Sequence, residues 1–387
     1  MDGRLPRVPT LALGILSITA FGSWFYGYGV LVEPIAQDTG WSSTALGGAY
    51  GASLLATGIL GALVGRALDH VGSRRTFLVL GAGALVFLWL TSLATSAGLF
   101  VAAATLGGGF VGAGGYYAAT SAVMARLVPE QRAKGITALT LFGAFASPIA
   151  LPAIAWLVTS LDWRPTLRIL AVVVGASYVL AAVAVPDVRP EAAEPLHLRA
   201  AARTAFDSLV KRRVIASVSV MAAATAVLLV QQVPVMVEAG MALSAASAYA
   251  GARGFLQLGG RLPLPAVVRR FGSRLTLQGS YALTAVATVV LVGAGTPLRA
   301  GTYAVIAGLS IGALAAIEGI YAAEVFDGPT LGTSLGIMSL VRGIGAALGP
   351  TVGGALIDLF DRQVAALALA FTAAVVATIL VPRRPRA

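Results

Sequence analysis

Residues 65–76 read GRALDHVGSRRT. They sit between two apolar runs, at about 43–66 and 76–96. Runs of roughly 20 such residues mark helices that cross a membrane, so the stretch reads as the charged turn of a membrane hairpin. The whole chain has the same character. Of its 387 residues 58% are hydrophobic and 11% are charged, where a soluble domain carries about 25% charged residues. With a mean hydropathy of +0.87, it is expected to be an integral membrane protein.

Twelve apolar segments can be placed, at about 10–35, 43–66, 76–96, 99–126, 135–159, 165–185, 214–237, 243–267, 274–295, 300–324, 332–357 and 364–381. Their connections alternate in charge. Arg74 and Arg75, then Arg126, Arg132 and Lys134, then Arg269, Arg270 and Arg274 fall on one side with both termini. The opposite connections hold Arg164, Arg168, Arg299 and Arg362. Lys and Arg concentrate on the cytoplasmic side, so a multi-pass protein of the plasma or inner membrane with cytoplasmic termini is predicted. The net charge of +11 is then topological and does not call for a nucleic-acid partner. No small-residue cleavage site follows the first segment, which reads as a retained anchor.

The longest polar connection, DVRPEAAEPLHLRAAARTAFDSLVKRR, divides the chain six plus six. Residues 1–187 are expected to form an N-terminal six-helix bundle, 188–213 a cytoplasmic linker and 214–387 a C-terminal six-helix bundle. The halves repeat: GGYYAA at 114–119 matches EGIYAA at 318–323, and GAFASP at 143–148 matches GAALGP at 345–350. The HVGSRRT and RRFGSRLT turns fall in the same frame, each pair offset by about 200 residues. Six helices leave both halves in one orientation, so the repeat is parallel, an arrangement that places a central cavity between bundles.

Several chemistries lack their residues. Cysteine is absent, which removes disulfides and thiolate metal sites. His70 and His197 fall in polar connections, and no carboxylate pair or metal-ligand spacing occurs in the helices, against an enzyme and against a bound metal. The G-x-G-x-x-G of GGGFVG (107–112) lies inside an apolar segment with no strand before it, and a dinucleotide site needs a strand, turn and helix. Close helix packing is its reading. There is no ATP-binding loop, so no cofactor is expected and the energy would come from an ion gradient, proton first, or from substrate exchange.

The informative charges lie inside the apolar segments. Residues 251–262 read GARGFLQLGGRL, and a guanidinium at bilayer depth costs about 3 kcal/mol or more. On a helix Arg253 and Arg261 differ by about 80° in direction and about 12 Å in height, with Gln257 between them. Arg342 and Glu318 are the other deep charges; Glu33 and Glu324 lie near segment ends. Intramembrane charges face a bundle interior or a water-filled cavity. One deep acid cannot neutralise three arginines, so the site is expected to take an anion, with Arg261, Arg253, Gln257 and Arg342 toward it. Glu318 and Glu33 are the candidates for coupling.

In the 65–76 turn, Gly65 is expected to allow close helix packing, Gly72 a tight turn, and Asp69 to sit near a helix N-terminus. With its Arg74 and Arg75, this turn resembles the loop signature G-x-x-x-D-x-x-G-x-[RK]-[RK] of the major facilitator superfamily. The resemblance covers nearly the whole chain and implies an all-α fold of twelve membrane helices in two six-helix bundles. It also implies a carrier alternating between inward-open and outward-open states, with Asp69 latching the cytoplasmic side against Arg126. The second copy has Pro265 for the first Gly and Arg269 for the acid, which breaks the pattern there. GAALGPTVGG (345–354) is similar to the family's G-x-x-x-G-P-x-x-G-G helix motif, read here chiefly as helix packing.

The QLGGRL stretch, and the Gly-Trp after the first segment, resemble the monocarboxylate and oxalate/formate branch. There an N-x-x-G-R pattern implies an arginine on the substrate carboxylate, matched by Gln257, Gly260 and Arg261 with Gln in place of Asn. The branch also implies aromatics, for which Tyr28, Tyr117 and Tyr321 are suitably placed. The leading expectation is a secondary transporter of a small organic anion, a carboxylate whose geometry suits guanidinium. The runner-up is proton-coupled efflux of an amphipathic compound, with Glu33 or Glu318 carrying the proton. A monomer in the bilayer is expected in either case.

Overall fold

The computed structural model describes residues 5–187, 206–326 and 331–382. The part of the central connection at 188–205, with His197, lies outside the described residues. All regular structure among the described residues is helical, and the chain divides into two compact units, Met1–Ala193 and Glu194–Ala387.

In the first unit, the first pass is built from α1 (Arg7–Ala20), a π-helical turn at Phe21–Tyr26, and α2 (Tyr28–Thr39). Gly40, at φ 66°, ends it in the left-handed region, where only glycine avoids a steric penalty. Ser42 caps α3 (Ser43–His70), its hydroxyl accepting from Ala45 N at 3.2 Å. Then follow α4 (Ser73–Ser92), α5 (Ala97–Gly115), α6 (Tyr117–Leu127), α7 (Arg132–Ala144), α8 (Ala146–Leu161) and α9 (Trp163–Ala184). Short breaks at Tyr116 and Phe145 join α5 to α6 and α7 to α8, so the unit makes six passes.

The GGGFVG stretch lies within α5 and packs it. A methyl at Gly108 would overlap Trp24 and Ser53, one at Gly109 would press on Ala56, and one at Gly112 on Thr57. At the far end, Asp38 accepts hydrogen bonds from Trp163 Nε1 (2.9 Å) and Arg164 Nη1 (2.6 Å). These hold its carboxyl below the usual carboxylate range.

The second unit contains α10 (Leu209–Glu238), α11 (Leu243–Arg261), α12 (Leu264–Leu291), α13 (Pro297–Val325), α14 (Leu331–Phe360) and α15 (Val364–Leu380). Nine helical spans among the described residues are long and apolar enough to cross a membrane. The remaining three passes have local reasons to fall short. Helix α11 carries Arg253, Gln257 and Arg261; α12 opens with Arg269, Arg270 and Arg274; and α15 has 17 residues.

The boundary after the eighth segment changes here. The eighth segment, placed at 243–267, ends at Arg261, and α12 starts at Leu264. Pro263 explains the stop, since proline cannot donate to the preceding turn. Gly272, at φ 80°, then kinks α12, as its repeat mate Gly72 does at φ 91° between α3 and α4.

The GAALGPTVGG stretch is a packing seam. A methyl at Gly345 would overlap the backbone of Ser219, and one at Gly349 that of Ala223, both on α10. Gly345→Leu is therefore expected to lower stability by about 1–3 kcal/mol through overpacking. Chemical unfolding of the purified variant in detergent measures it, and an unchanged midpoint would mean that the two helices separate without cost.

Candidate functional site

Three small polar clusters lie in the second unit. Closest to the start of α11, Arg253 is fully buried and its Nε donates to Gln232 Oε1 at 2.9 Å. Tyr303 Oη donates to the same oxygen at 3.0 Å. One amide carbonyl on α10 thus joins α11 and α13.

Two turns further along α11, Arg261 Nη2 donates to Gln257 Oε1 at 3.4 Å and Nε donates to the carbonyl of Gly312 at 3.2 Å. Glycines permit this approach. A methyl at Gly260 would overlap Leu309, one at Gly308 would meet Leu256 and Arg253, and one at Gly312 would overlap Gln257. Although Arg261 closes its own helix, Gly312 is the sixteenth of the 29 residues of α13. At about 1.5 Å per residue, α13 continues roughly 20 Å past this level, so the guanidinium is half-buried beside the middle of its neighbour. No acid lies within salt-bridge distance of Arg261 among the described residues.

Gln257 is 5% exposed, and its Nε2 has no hydrogen-bond partner among the described residues. Because Arg261 can only donate, it fixes the amide with oxygen toward the guanidinium and the NH₂ group away. Donors therefore outnumber acceptors at this point.

The third cluster pairs charges. Glu318, 5% exposed, accepts from Arg342 Nε at 3.4 Å and from Tyr281 Oη at 3.1 Å. Arg342, grouped with the anion-facing arginines from the sequence, is thus held by an acid.

The first unit places the aromatic residues. Tyr28 is buried between Trp24 (centroids 5.0 Å) and Tyr50 (5.2 Å), and its hydroxyl donates to Leu46 O at 2.7 Å. Tyr117 sits elsewhere, half-buried against Phe21 at 4.7 Å. Tyr321, its repeat mate, is buried and donates to Pro382 O at 2.7 Å. The repeat therefore preserves the residue and not its surroundings. Glu33 is half-buried in the middle of α2 and accepts from Gln37 at 2.9 Å.

At the 65–76 turn, Asp69 and Arg126 form an ion pair at 2.5 Å, joining the ends of α3 and α6. Two details are corrected. Asp69 belongs to the last turn of α3; the carboxylate near the N-terminus of α4 is Asp187, accepting from Arg74 N at 3.4 Å. Gly65 is exposed, and within its own unit a methyl there would meet nothing within 4 Å among the described residues. Gly72 does require glycine: besides its φ, a Cβ would collide with Asp187. Arg74 and Arg75 are exposed.

Sequence reading missed the partners. Gln232, Tyr303 and Tyr281 stand in apolar runs where nothing in the order of residues marks them as facing an arginine or an acid. It also missed the aromatic set formed by Phe21, Phe25, Tyr26, Tyr116 and Tyr117. Phe21 stacks on Tyr116 at 4.4 Å and packs edge-on to Phe25 at 5.6 Å. The π-helical turn brings them together, and such turns gather at functional sites. The signal was present as aromatics between Gly22 and Gly27, both tightly packed.

Comparison with known proteins places the chain. The family model of the Major Facilitator Superfamily matches residues 13–306; the chain belongs to this superfamily. It is a multi-pass membrane transporter and not an enzyme. No curated protein matches the sequence. Among solved structures, the nucleoside transporter NupG superposes with a TM-score of 0.80 at 16% identity, over 96% of this chain and 98% of that one. A D-xylose-proton symporter superposes at 0.69 and 17%, covering 96% and 98%. A bacterial homologue of the human lysosomal transporter Spinster, inward-facing and occupied, gives 0.72 and 14%, covering 96% and 93%. At these identities the likeness shows the fold.

The Gln232 bridge predicts an order of stabilities. Tyr303→Phe removes one neutral hydrogen bond and should cost about 1 kcal/mol, whereas Gln232→Leu removes the acceptor of a buried cation and should cost about 1.5–3 kcal/mol. Thermal unfolding of both purified variants tests the order, and equal losses would count against a bridge centred on Gln232.

Proposed function

We propose that this protein is a secondary active transporter of a small organic anion, a carboxylate, exposing its site alternately to the two sides of the membrane. One observation carries the reading. Arg261 has a backbone carbonyl and a neutral amide as partners, no acid within reach among the described residues, and beside it the unpartnered NH₂ of Gln257. A carboxylate would accept from both groups, and guanidinium offers it a bidentate fork. The likeness of QLGGRL to the monocarboxylate and oxalate/formate branch supports the same class. The charge distribution along the connections supports cytoplasmic termini, which would put the Asp69–Arg126 pair at the cytoplasmic end, where it would act as the latch. Neither the nucleoside nor the xylose named for the neighbouring structures requires an unpaired guanidinium.

Arg261→Ala is expected to weaken carboxylate binding by about 10- to 150-fold, and Arg261→Lys to restore it in part. Gln257→Glu places an acid against Arg261 and should remove binding while the protein stays monodisperse. Thermal-shift titration against an organic-acid panel reads all three, since a ligand bound by the native state raises its stability. Undiminished binding by Arg261→Ala would sink the anion site and leave proton-coupled efflux as the reading.

Glu318 favours proton coupling, because it is a buried acid bonded to Arg342 and Tyr281. Glu318→Gln should retain exchange of substrate in vesicles and lose the response to a pH gradient. Concentration of substrate by the variant under that gradient would remove Glu318 from the proton path.

A further inference from the structure

The second unit carries a groove of about 400 Å³ that neither Gln257 nor Arg261 lines. It runs between α11, α12 and α13. Gly259, Gly260 and Gly279 are all in its lining, Gly259 and Gly260 where α11 packs against α13 and Gly279 where the groove is open. A Cβ at Gly279 would meet nothing within 4 Å.

The chemistry of the groove is apolar despite three hydroxyls in its lining. Thr276 donates to Gly272 O, Ser280 to Thr276 O and Ser310 to Ala307 O, each a bond back to its own helix. No charged side chain lines it. A transported anion would find nothing to bind, whereas a hydrocarbon chain would lose nothing.

One end of the groove is different. Phe271 and Leu275 line it while remaining 55% and 56% exposed. Immediately before Phe271 stand Arg269 and Arg270, both exposed, with the Arg270 guanidinium 5.5 Å over the Phe271 ring. No acid lies within salt-bridge distance of either among the described residues. This turn belongs to the arginine-rich side of the chain, and basic clusters at the cytoplasmic membrane surface attract anionic lipid.

We infer that this groove is a binding site for an anionic phospholipid, with an acyl chain laid past Gly279 among Leu264, Val267 and Leu283 and the phosphate held by Arg269 and Arg270. An apolar trough ending in two cations, on the surface of a membrane-spanning unit, matches the two parts of such a molecule. The site is separate from the anion site, and its test touches neither Gln257 nor Arg261.

The test is native mass spectrometry of the delipidated full-length protein. Phosphatidylglycerol and phosphatidylcholine of identical acyl chains are added as competing probes. Wild type should retain phosphatidylglycerol preferentially. Each arginine near a charged surface contributes about five-fold, so Arg269→Gln with Arg270→Gln should reduce the preference by roughly 30-fold while chain binding remains. Gly279→Leu fills the trough and should lose both lipids. That variant should fold, since the position is open and leucine is the better helix former; its carboxylate binding should match wild type. Equal retention of the two lipids by wild type would overturn the proposal, as would a full preference persisting in Gly279→Leu.

Discussion

The close approach of α11 to α13 is the contact on which the second unit's polar chemistry rests. Gly260, Gly308 and Gly312 let the two backbones meet without intervening side chains. Inside a membrane a polar group must find its partner within the protein, and a guanidinium cannot discharge itself. Here the glycines bring a helix carbonyl to Arg261 and set Tyr303 and Arg253 about the same amide oxygen. Larger residues would hold α13 away and leave the cations on α11 in an apolar surrounding. The seam that looks like simple packing is therefore what makes the charges tolerable.

The units use their interiors differently. In the first, the deep positions among the described residues are apolar or hydroxyl-bearing, and the ion pairs Asp69–Arg126 and Asp38–Arg164 lie at helix ends. In the second, three polar clusters sit along α10 to α14. A parallel repeat accounts for the shared topology and for the matching kinks at Gly72 and Gly272, which arise from backbone conformation. It does not carry over side-chain roles, because those depend on neighbours that the two halves do not share. Tyr117 joins an aromatic set; Tyr321 binds the carbonyl of Pro382.

The arginines also separate by environment. Arg342 is matched by Glu318, Arg253 is enclosed with Gln232, and Arg261 has only neutral partners within the described residues. Arg261 has no ion pair to break within the described residues and, unlike the fully buried Arg253, is half-buried, so its donors can be offered to a ligand. That distinction follows from the positions of α10, α13 and α14 around α11, and it changes a set of equivalent candidates into an ordered one.

Much of the architecture was legible from residue order, because the forces that set it are local. Apolar runs long enough to span a bilayer, basic turns, prolines and glycines at breaks, and the internal repeat all act over a few turns of helix. They determined twelve helical passes, the six-plus-six division and the superfamily. Tertiary structure decided what those helices present to one another. It left Arg261, which closes the eighth pass, beside the middle of α13. It paired Arg342 with Glu318, exposed Gly65, and gathered Phe21, Tyr116 and Tyr117 around a π-helical turn. Which partner meets a buried charge depends on the rotation and spacing of helices distant in sequence, and those are set by packing across many residues at once.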